Sequence, residues 1–315
     1  YRTSKAIAGC QSATKKIKMN EHRSGFVNIL GKPNAGKSTL LNLLIEAQLS
    51  ITNRKAQTTR RRILGLWNDA DHQIVFSDTP GIIDKPAYRM QEKMNTYIYQ
   101  SFEDADVILY MADISDPTPW SEQIGGIMNK VDVPKLLIIN KKDLEPSLNK
   151  EAALEKWPKD VEWTEVMLIS ALEEKDRQEL LQKVLSLLPP GPEYYPKDQL
   201  SDLNERFFVA DLIRKQILSL YSQEVPYSCE IYIDSFTESE KNGKPFAHVN
   251  ATIFVSRSTQ KSIIIGRKGE KIKQLGTNAR KEIEEFLGYP IFLDLFVKVK
   301  ENWRDDERQL NSFGY

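Results

Sequence analysis

Residues 31–38 read GKPNAGKS, two glycines with four residues between them and then Lys37 and Ser38, set between an apolar run, FVNIL, and a leucine-rich stretch, TLLNLLI. No other feature limits the fold as much, because it obliges a buried strand to turn tightly and hand over to a buried helix. From Phe26 to Leu188, further apolar runs (ILGLW, HQIVFSD, DVILYMADI, KLLIIN and EVMLIS) alternate with helical spacing. Continuous rather than alternating apolar runs between helices predict strands buried on both faces of a largely parallel sheet. The expected class is an α/β, doubly wound layer.

At 315 residues the chain has room for about two such cores. The stretch LLPPGPEYYPKDQLSD concentrates four prolines and a glycine, which neither continue a helix nor join a sheet interior, so a stiff extended spacer is predicted. Beyond it NERFFVADLIRKQILSLY has helical spacing, and YSCEIYIDSF and FAHVNATIFV read as strands joined across the hairpin signal KNGKP. Two helical segments around a glycine turn and a last strand, IFLDLFVKVK, complete a smaller α+β domain. The expected organisation is a leader at 1–22, a first domain at 23–188, a Pro-rich linker at 189–202 and a second domain at 203–315.

Forty-four Lys and Arg balance forty-four Asp and Glu, so any basic binding surface must be local. Cys10 and Cys229 are too few and too far apart for a disulfide framework or a thiolate metal site, and with three histidines a zinc enzyme is not expected. No apolar run approaches the ~20 residues that cross a bilayer, and a soluble protein is expected. Residues 1–18 carry five basic and no acidic residues, a bias shared with organellar presequences; a leader before a start at Met19 is the preferred reading.

The GxxxxGK[ST] pattern at Gly31, Gly36, Lys37 and Ser38 points to polyphosphate. Glycines let consecutive N–H groups converge on one centre, and the following helix adds its positive end. The expected contacts are Gly31, Asn34, Ala35, Gly36, Lys37, Ser38 and Thr39, with Lys37 reaching the β and γ phosphates and Ser38 ligating Mg²⁺. FSDTPG places Asp78 at the end of a strand, where ligands bind in open α/β sheets. Asp78 is expected to hold the metal through water, and the Gly81 N–H to sense a γ-phosphate.

IINKKD supplies Asn140, Lys141 and Asp143. A carboxylate accepts from both N1–H and the exocyclic amine of guanine, a donor pair that adenine lacks, so GTP and GDP are the expected ligands. Lys141 would lay its stem along the base and Asn140 brace the loop, while Ser170 and the Ala171 N–H approach the guanine carbonyl. In NRKAQTTRRRILG, Thr58 or Thr59 could reach the metal only when a γ-phosphate is present, and Thr59 is preferred. For Arg60, Arg61 and Arg62 a solvated face is the default, ahead of an RNA contact or a phosphate-sensing arm.

The ordered set GKPNAGKS, QTTR, DTPG, NKKD and SA resembles the translation-factor-related GTPases. With IIIGRKGEKIKQLGTNARKEIE and the ending VKVKENWRDDERQLNSFGY, the resemblance narrows to the Era-like family over about residues 24–315. It implies a P-loop GTPase domain followed by a type II KH domain, binding of small-subunit rRNA near its three-prime end, and a role in 30S ribosomal subunit assembly. It also implies peripheral contact with the inner membrane by a cytoplasmic protein, an organellar site being less expected; nothing in the sequence argues against a monomer.

In Ras-like GTPases a Gln directly after DxxG orients the attacking water. Here Ile82 and Ile83 follow, so another element must do so and intrinsic hydrolysis is expected to be slow. Asn34 resembles an asparagine that some relatives use to hold K⁺ beside the phosphates, so Lys37, Thr59, Gly81 and Asn34 are the expected catalytic set. A different class stays open: an RNA-binding scaffold in which the nucleotide is mainly a structural ligand.

The RNA signal is Gly266, Arg267, Lys268 and Gly269 between two helical segments. Glycines admit a nucleic-acid backbone closely, the next helix offers its dipole, and the cations meet phosphate. Ile265, Lys271 and Lys273 complete the expected surface. From Arg257 to Lys281, eight Lys or Arg face one acid, Glu270, an excess of about seven hidden in a neutral chain.

Overall fold

The structure, a computed structural model, describes residues 22–53, 55, 57–116, 120–155, 157 and 160–315. The expected leader therefore lies outside the described residues, apart from His22. The first layer runs β1 (Arg23–Gly31), α1 (Lys37–Ile45), β2 (Ile63–Asn68), β3 (His72–Asp78), α2 (Arg89–Glu103), β4 (Val107–Asp113), α3 (Glu122–Met128), β5 (Lys135–Asn140), α4 (Lys150–Glu155), β6 (Glu165–Leu168) and α5 (Glu174–Leu187). Its six strands are ordered β2-β3-β1-β4-β5-β6. All pairs are parallel except β2 with β3.

The apolar runs fill both faces of this sheet. Val27, Ile29, Phe76, Leu109 and Ile138 pack with α1 and α5 on one side, and Leu30, Ile108, Tyr110, Leu137 and Ile139 pack with Ile98, Ile124 and Met128 on the other. Burial on both faces is what parallel strands require. As a result β1, β3 and β5 end at one edge, where Gly31, Asp78 and Asn140 are their last residues.

The second layer runs α6 (Glu205–Leu220), β7 (Cys229–Lys241), β8 (Lys244–Val255), α7 (Ser258–Ile265), α8 (Glu270–Leu287), β9 (Ile291–Val299) and α9 (Glu307–Phe313). β7 and β8 form an antiparallel hairpin and β9 lies parallel to β8. Asn242 and Gly243 both have positive φ, 56° and 71°, the turn geometry that matches the strand twist in two-residue hairpins. The hairpin continues past Phe236 to Lys241, further than its apolar run, because Thr237–Lys241 pair through the backbone with side chains mostly in solvent.

The proline-rich stretch is not a free spacer. Ser24 Oγ donates to the Pro192 carbonyl at 2.6 Å, and the Gln73 side chain holds the Tyr194 and Tyr195 amides at 2.6 and 3.0 Å. The Leu66 amide then donates to the Leu200 carbonyl at 2.9 Å. The segment lies against β1, β3 and β2, and α6 inserts Phe208 into the core of the first layer.

The arginine run corrects the expectation of a solvated face. Arg60 is 2 % exposed and donates to the Cys229 carbonyl at 2.6 Å, to Glu230 at 3.0 Å and to the Pro226 carbonyl at 3.1 Å. Arg61 reaches the Phe313 carbonyl and stacks on Tyr315, and Arg62 pairs with Asp104. Arg60 and Arg61 are bound into the junction of the two layers, where carbonyls left over at the start of β7 need donors.

Candidate functional site

Gly36 carries a φ of 102°, which favours glycine, and a Cβ there would lie 2.2 Å from Asn140 Nδ2. The turn can therefore close only without a side chain, and it leaves the N-terminal amides of α1 free of any side-chain cap. Lys37 is buried, its Nζ donating to the Gly31 and Lys32 carbonyls at 3.0 and 2.8 Å. Burial lowers its pKa to about 8, against the opposing pull of Asp78. Desolvation favours the neutral amine, so an incoming anion gains most from restoring the charge.

Asp78 is fully buried at the end of β3. Its Oδ2 accepts from Ser38 Oγ at 2.7 Å, Ser50 Oγ at 2.8 Å and Thr59 Oγ1 at 3.1 Å, and Ser38 and Thr59 lie 2.9 Å apart. Burial raises its pKa despite Lys37 and the three hydroxyls. Its Oδ1 is buried with no hydrogen-bond partner among the described residues. The Ser38 and Thr59 hydroxyls and an unpartnered carboxylate oxygen make a donor set of hard oxygens, which fits Mg²⁺. Thr58 turns the other way, its hydroxyl donating to the Lys55 carbonyl at 2.6 Å.

At the far end of the cleft, Asn140 Nδ2 donates to the Ala35 carbonyl at 2.9 Å and its Oδ1 accepts from the Ala171 amide at 2.9 Å. The Ala171 N–H, expected to face a guanine carbonyl, is thus directed at Asn140. Ser170 Oγ donates to Asp143 Oδ1 at 2.7 Å and so orients the carboxylate. Lys141, held at a φ of 69°, pairs with Asp113. Leu144 and Leu172, 61 % and 75 % exposed, form apolar lips at this end.

These groups line one cleft of about 800 Å³, which takes in Asn34, Gly36, Lys37, Ser38, Thr39, Thr59, Gly81, Asn140, Lys141, Asp143, Ser170 and Ala171. Gly31, Ala35 and Asp78 stand behind its wall. Ile82 packs on the core around Tyr110, and Ile83 against Met90 and Trp303; neither lines the cleft.

Several contributors carried no motif. Ser50 reaches Asp78 only because Asn42 holds its backbone at 2.7 and 2.8 Å. Asp176 fixes the Ser170 amide at 2.6 Å, and Gln57, at a φ of 58°, lines the cleft. An acid at the N-terminal turn of a helix, as Asp176 is, was the only available signal.

On the second layer, Gly266 has a φ of 72° and a Cβ there would meet Lys271 Cβ at 2.8 Å. Arg267, Lys268, Lys271 and Lys273 are exposed, while Ile265, Gly266 and Gly269 are half-buried. Gly269 caps α8 with no side-chain acceptor among the described residues, and the Gly269 and Glu270 amides turn back to the Gly266 and Arg267 carbonyls. Tyr221 supports the loop from below, its hydroxyl donating to the Ile264 carbonyl at 2.8 Å. Beside it a groove of about 310 Å³ runs between α8 and β9, bordered by Lys273, Thr277, Arg280, Phe292 and Leu295. The combination of exposed cations, a tight glycine turn and an apolar floor can hold a single nucleic-acid strand.

The family described as 50S ribosome-binding GTPase matches residues 26–141, and the KH domain family matches residues 224–304. GTPase Era of Lactobacillus delbrueckii subsp. bulgaricus is 41 % identical over 94 % of this chain and 97 % of its own. GTPase Era of Geobacter sp. (strain M21) is 42 % identical over 93 % and 98 %, and the chloroplastic GTPase ERA1 of Zea mays 42 % identical over 93 % and 71 %. Two solved structures are similar at 36 % identity and a TM-score of 0.83, each covering 93 % of this chain and 99 % of its own: an Aquifex aeolicus Era variant bound to GDP and AlF₄⁻, and Era in complex with MgGDPNP and nucleotides 1506–1542 of 16S ribosomal RNA.

Proposed function

This chain belongs to the Era family of GTPases, and we propose that it is a GTP-hydrolysing switch which binds the three-prime end of small-subunit rRNA and serves assembly of that subunit. The observation that carries this reading is the convergence, in one cleft, of a phosphate loop with Asp78, Ser38 and Thr59 at one end and Asp143 with Ser170 at the other. The spacing of the two ends along a single cleft suits a guanosine polyphosphate. The Era structure with 16S rRNA nucleotides 1506–1542 supports the choice of RNA.

In this reading the chain divides at the proline-rich segment 189–202, with the GTPase domain at 23–188 and the KH domain at 203–315. Lys37 neutralises the β and γ phosphates and Gly81 offers its N–H to the γ-phosphate. Ser38 and Thr59 would ligate Mg²⁺ and Asp78 would hold it through water; the ion would neutralise charge that develops on the leaving phosphate. Asp143 accepts from the guanine edge. The potassium role of Asn34 rests on the resemblance and on its place in the cleft lining. With Ile82 and Ile83 packed away in the cores, intrinsic turnover is slow.

On the RNA side, Gly266–Gly269 take the backbone, Lys271 and Lys273 meet phosphate, and the groove between α8 and β9 takes the bases. The deciding experiment measures binding of an oligonucleotide copied from the three-prime end of small-subunit rRNA to the full chain loaded with GDPNP and with GDP. Tighter binding with GDPNP is expected. Equal affinities would remove the switch, and failure to bind in either state would remove the RNA assignment.

A further inference from the structure

Of the two hydroxyls placed for the metal, Thr59 alone comes from a segment without regular structure, and the second domain grips that segment on both sides. One residue before it, the Thr58 carbonyl accepts from the Arg214 guanidinium of α6. Arg214 is 4 % exposed and is itself paired with Asp211. One residue after it, Arg60 is sunk among the Cys229 and Pro226 carbonyls and Glu230. Withdrawing Arg60 would take its donors from the buried Cys229 and Pro226 carbonyls, and withdrawing Arg214 would leave the buried Asp211 carboxylate without its cation. With only two soft torsions per residue, a chain fixed at 58 and 60 has little freedom left at 59.

We infer that Arg60 and Arg214 are positioning residues for Thr59, so that the second domain sets how well the cleft distinguishes a nucleotide with a terminal phosphate from one without. The inference rests on the reading that Thr59 meets the metal and γ-phosphate. Neither arginine lines the cleft. Both act by presenting the Thr59 hydroxyl beside Ser38 and Asp78, where it stands 2.9 and 3.1 Å away.

The test titrates the full chain with GDPNP and with GDP in the presence of Mg²⁺, comparing the unaltered protein with Thr59→Ala, Arg60→Gln, Arg214→Gln and the combined Thr59→Ala/Arg214→Gln. A lost hydrogen bond to a charged group predicts a fall of about ten-fold in the preference for GDPNP in each single variant. GDP affinity should hold within about two-fold, and the combined variant should lose no more than Thr59→Ala alone, the non-additivity of residues acting as one unit. Should Arg214→Gln fail to fold, Asp211→Asn/Arg214→Gln, which neutralises the buried pair together, is read in the same way. Loss of preference in Thr59→Ala but not in the arginine variants, fully additive losses, or an equal loss of GDP affinity would each overturn the positioning role. An unchanged preference in Thr59→Ala would instead remove the reading of Thr59 itself, and the inference with it.

Discussion

The Asn140 carboxamide donates to the Ala35 carbonyl at 2.9 Å, tying the end of β5, just before Asp143, to the glycine loop between β1 and α1. The two ends of the cleft are therefore one mechanical unit. Asn140→Ala leaves the Ala35 carbonyl and the Ala171 amide unpaired, each costing about 1–3 kcal/mol, and nucleotide affinity should fall at least ten-fold. Gly36→Ala strikes the same bond from the other side, its Cβ falling 2.2 Å from Asn140 Nδ2, and should weaken binding at least as much. Calorimetric titration of both variants with GDP checks the point; unchanged affinity in either would show that the bond does not hold the cleft together.

Lys37 gives nucleotide binding a pH dependence of predictable sign. Burial brings its pKa down to about 8 in the free protein, and a bound polyphosphate, favouring the ammonium, raises it again. Between those two values binding takes up a proton, so affinity is level below about pH 8 and falls as pH rises above it. The slope is at most about ten-fold per pH unit. Binding heats in buffers of different ionisation enthalpy should reveal the proton above that pH and none well below it.

Asp143→Asn exchanges an acceptor for a donor where the guanine amine is expected, while Ser170 Oγ, now 2.7 Å from Asp143 Oδ1, can still anchor the side chain. Preference should move from guanine to xanthine nucleotides, and discrimination of about 10⁴ is within reach when a buried polar partner is lost. Competition of XDP against labelled GDP measures this directly. Retained guanine preference would place the base elsewhere.

Reversing charge at the glycine loop should separate the two activities. Arg267→Asp with Lys268→Asp changes two exposed side chains and should weaken RNA binding while leaving GTP hydrolysis without RNA intact. The logarithmic salt dependence should flatten by about 0.7 for each phosphate of a single strand that the variant no longer neutralises. Filter binding across a salt series tests both statements.

Trp303, fully buried among Met90, Met94, Leu310 and Phe313, joins the carboxy-terminal segment to α2. Trp303→Ala should destabilise the protein by about 3–5 kcal/mol, read as a shift in denaturant midpoint. A loss below about 1 kcal/mol would mean that this cluster is not part of the cooperative core.

Contiguous motifs were legible because they encode local backbone and chemistry together. GKPNAGKS, NKKD and GRKG need left-handed or tightly turned residues at fixed offsets, and the structure places Asn34, Gly36, Lys141, Gly266, Lys268 and Gly269 at positive φ. The apolar runs likewise announced the strands, since burial on both faces leaves no polar residues to interrupt them. Where strands lacked that pattern they were not legible: Arg23–Gly25 extend β1 by pairing with β3 and by the bridge from Arg23 to Pro190, and the tip of the β7–β8 hairpin is mostly exposed.

By itself, then, the sequence determined the two fold classes, from its apolar runs, and the GKPNAGKS, NKKD and GRKG turns, each written within a few consecutive residues. Only the tertiary structure decided that Arg60 is buried in the second domain, that Ser50 shares Asp78 with Ser38 and Thr59, and that the proline-rich segment lies against the first sheet. The physical reason is separation. Arg60 meets partners 166 to 170 residues away, and a guanidinium looks the same in a sequence whether it ends in water or between two domains. Its neighbours there are set by how two finished cores dock.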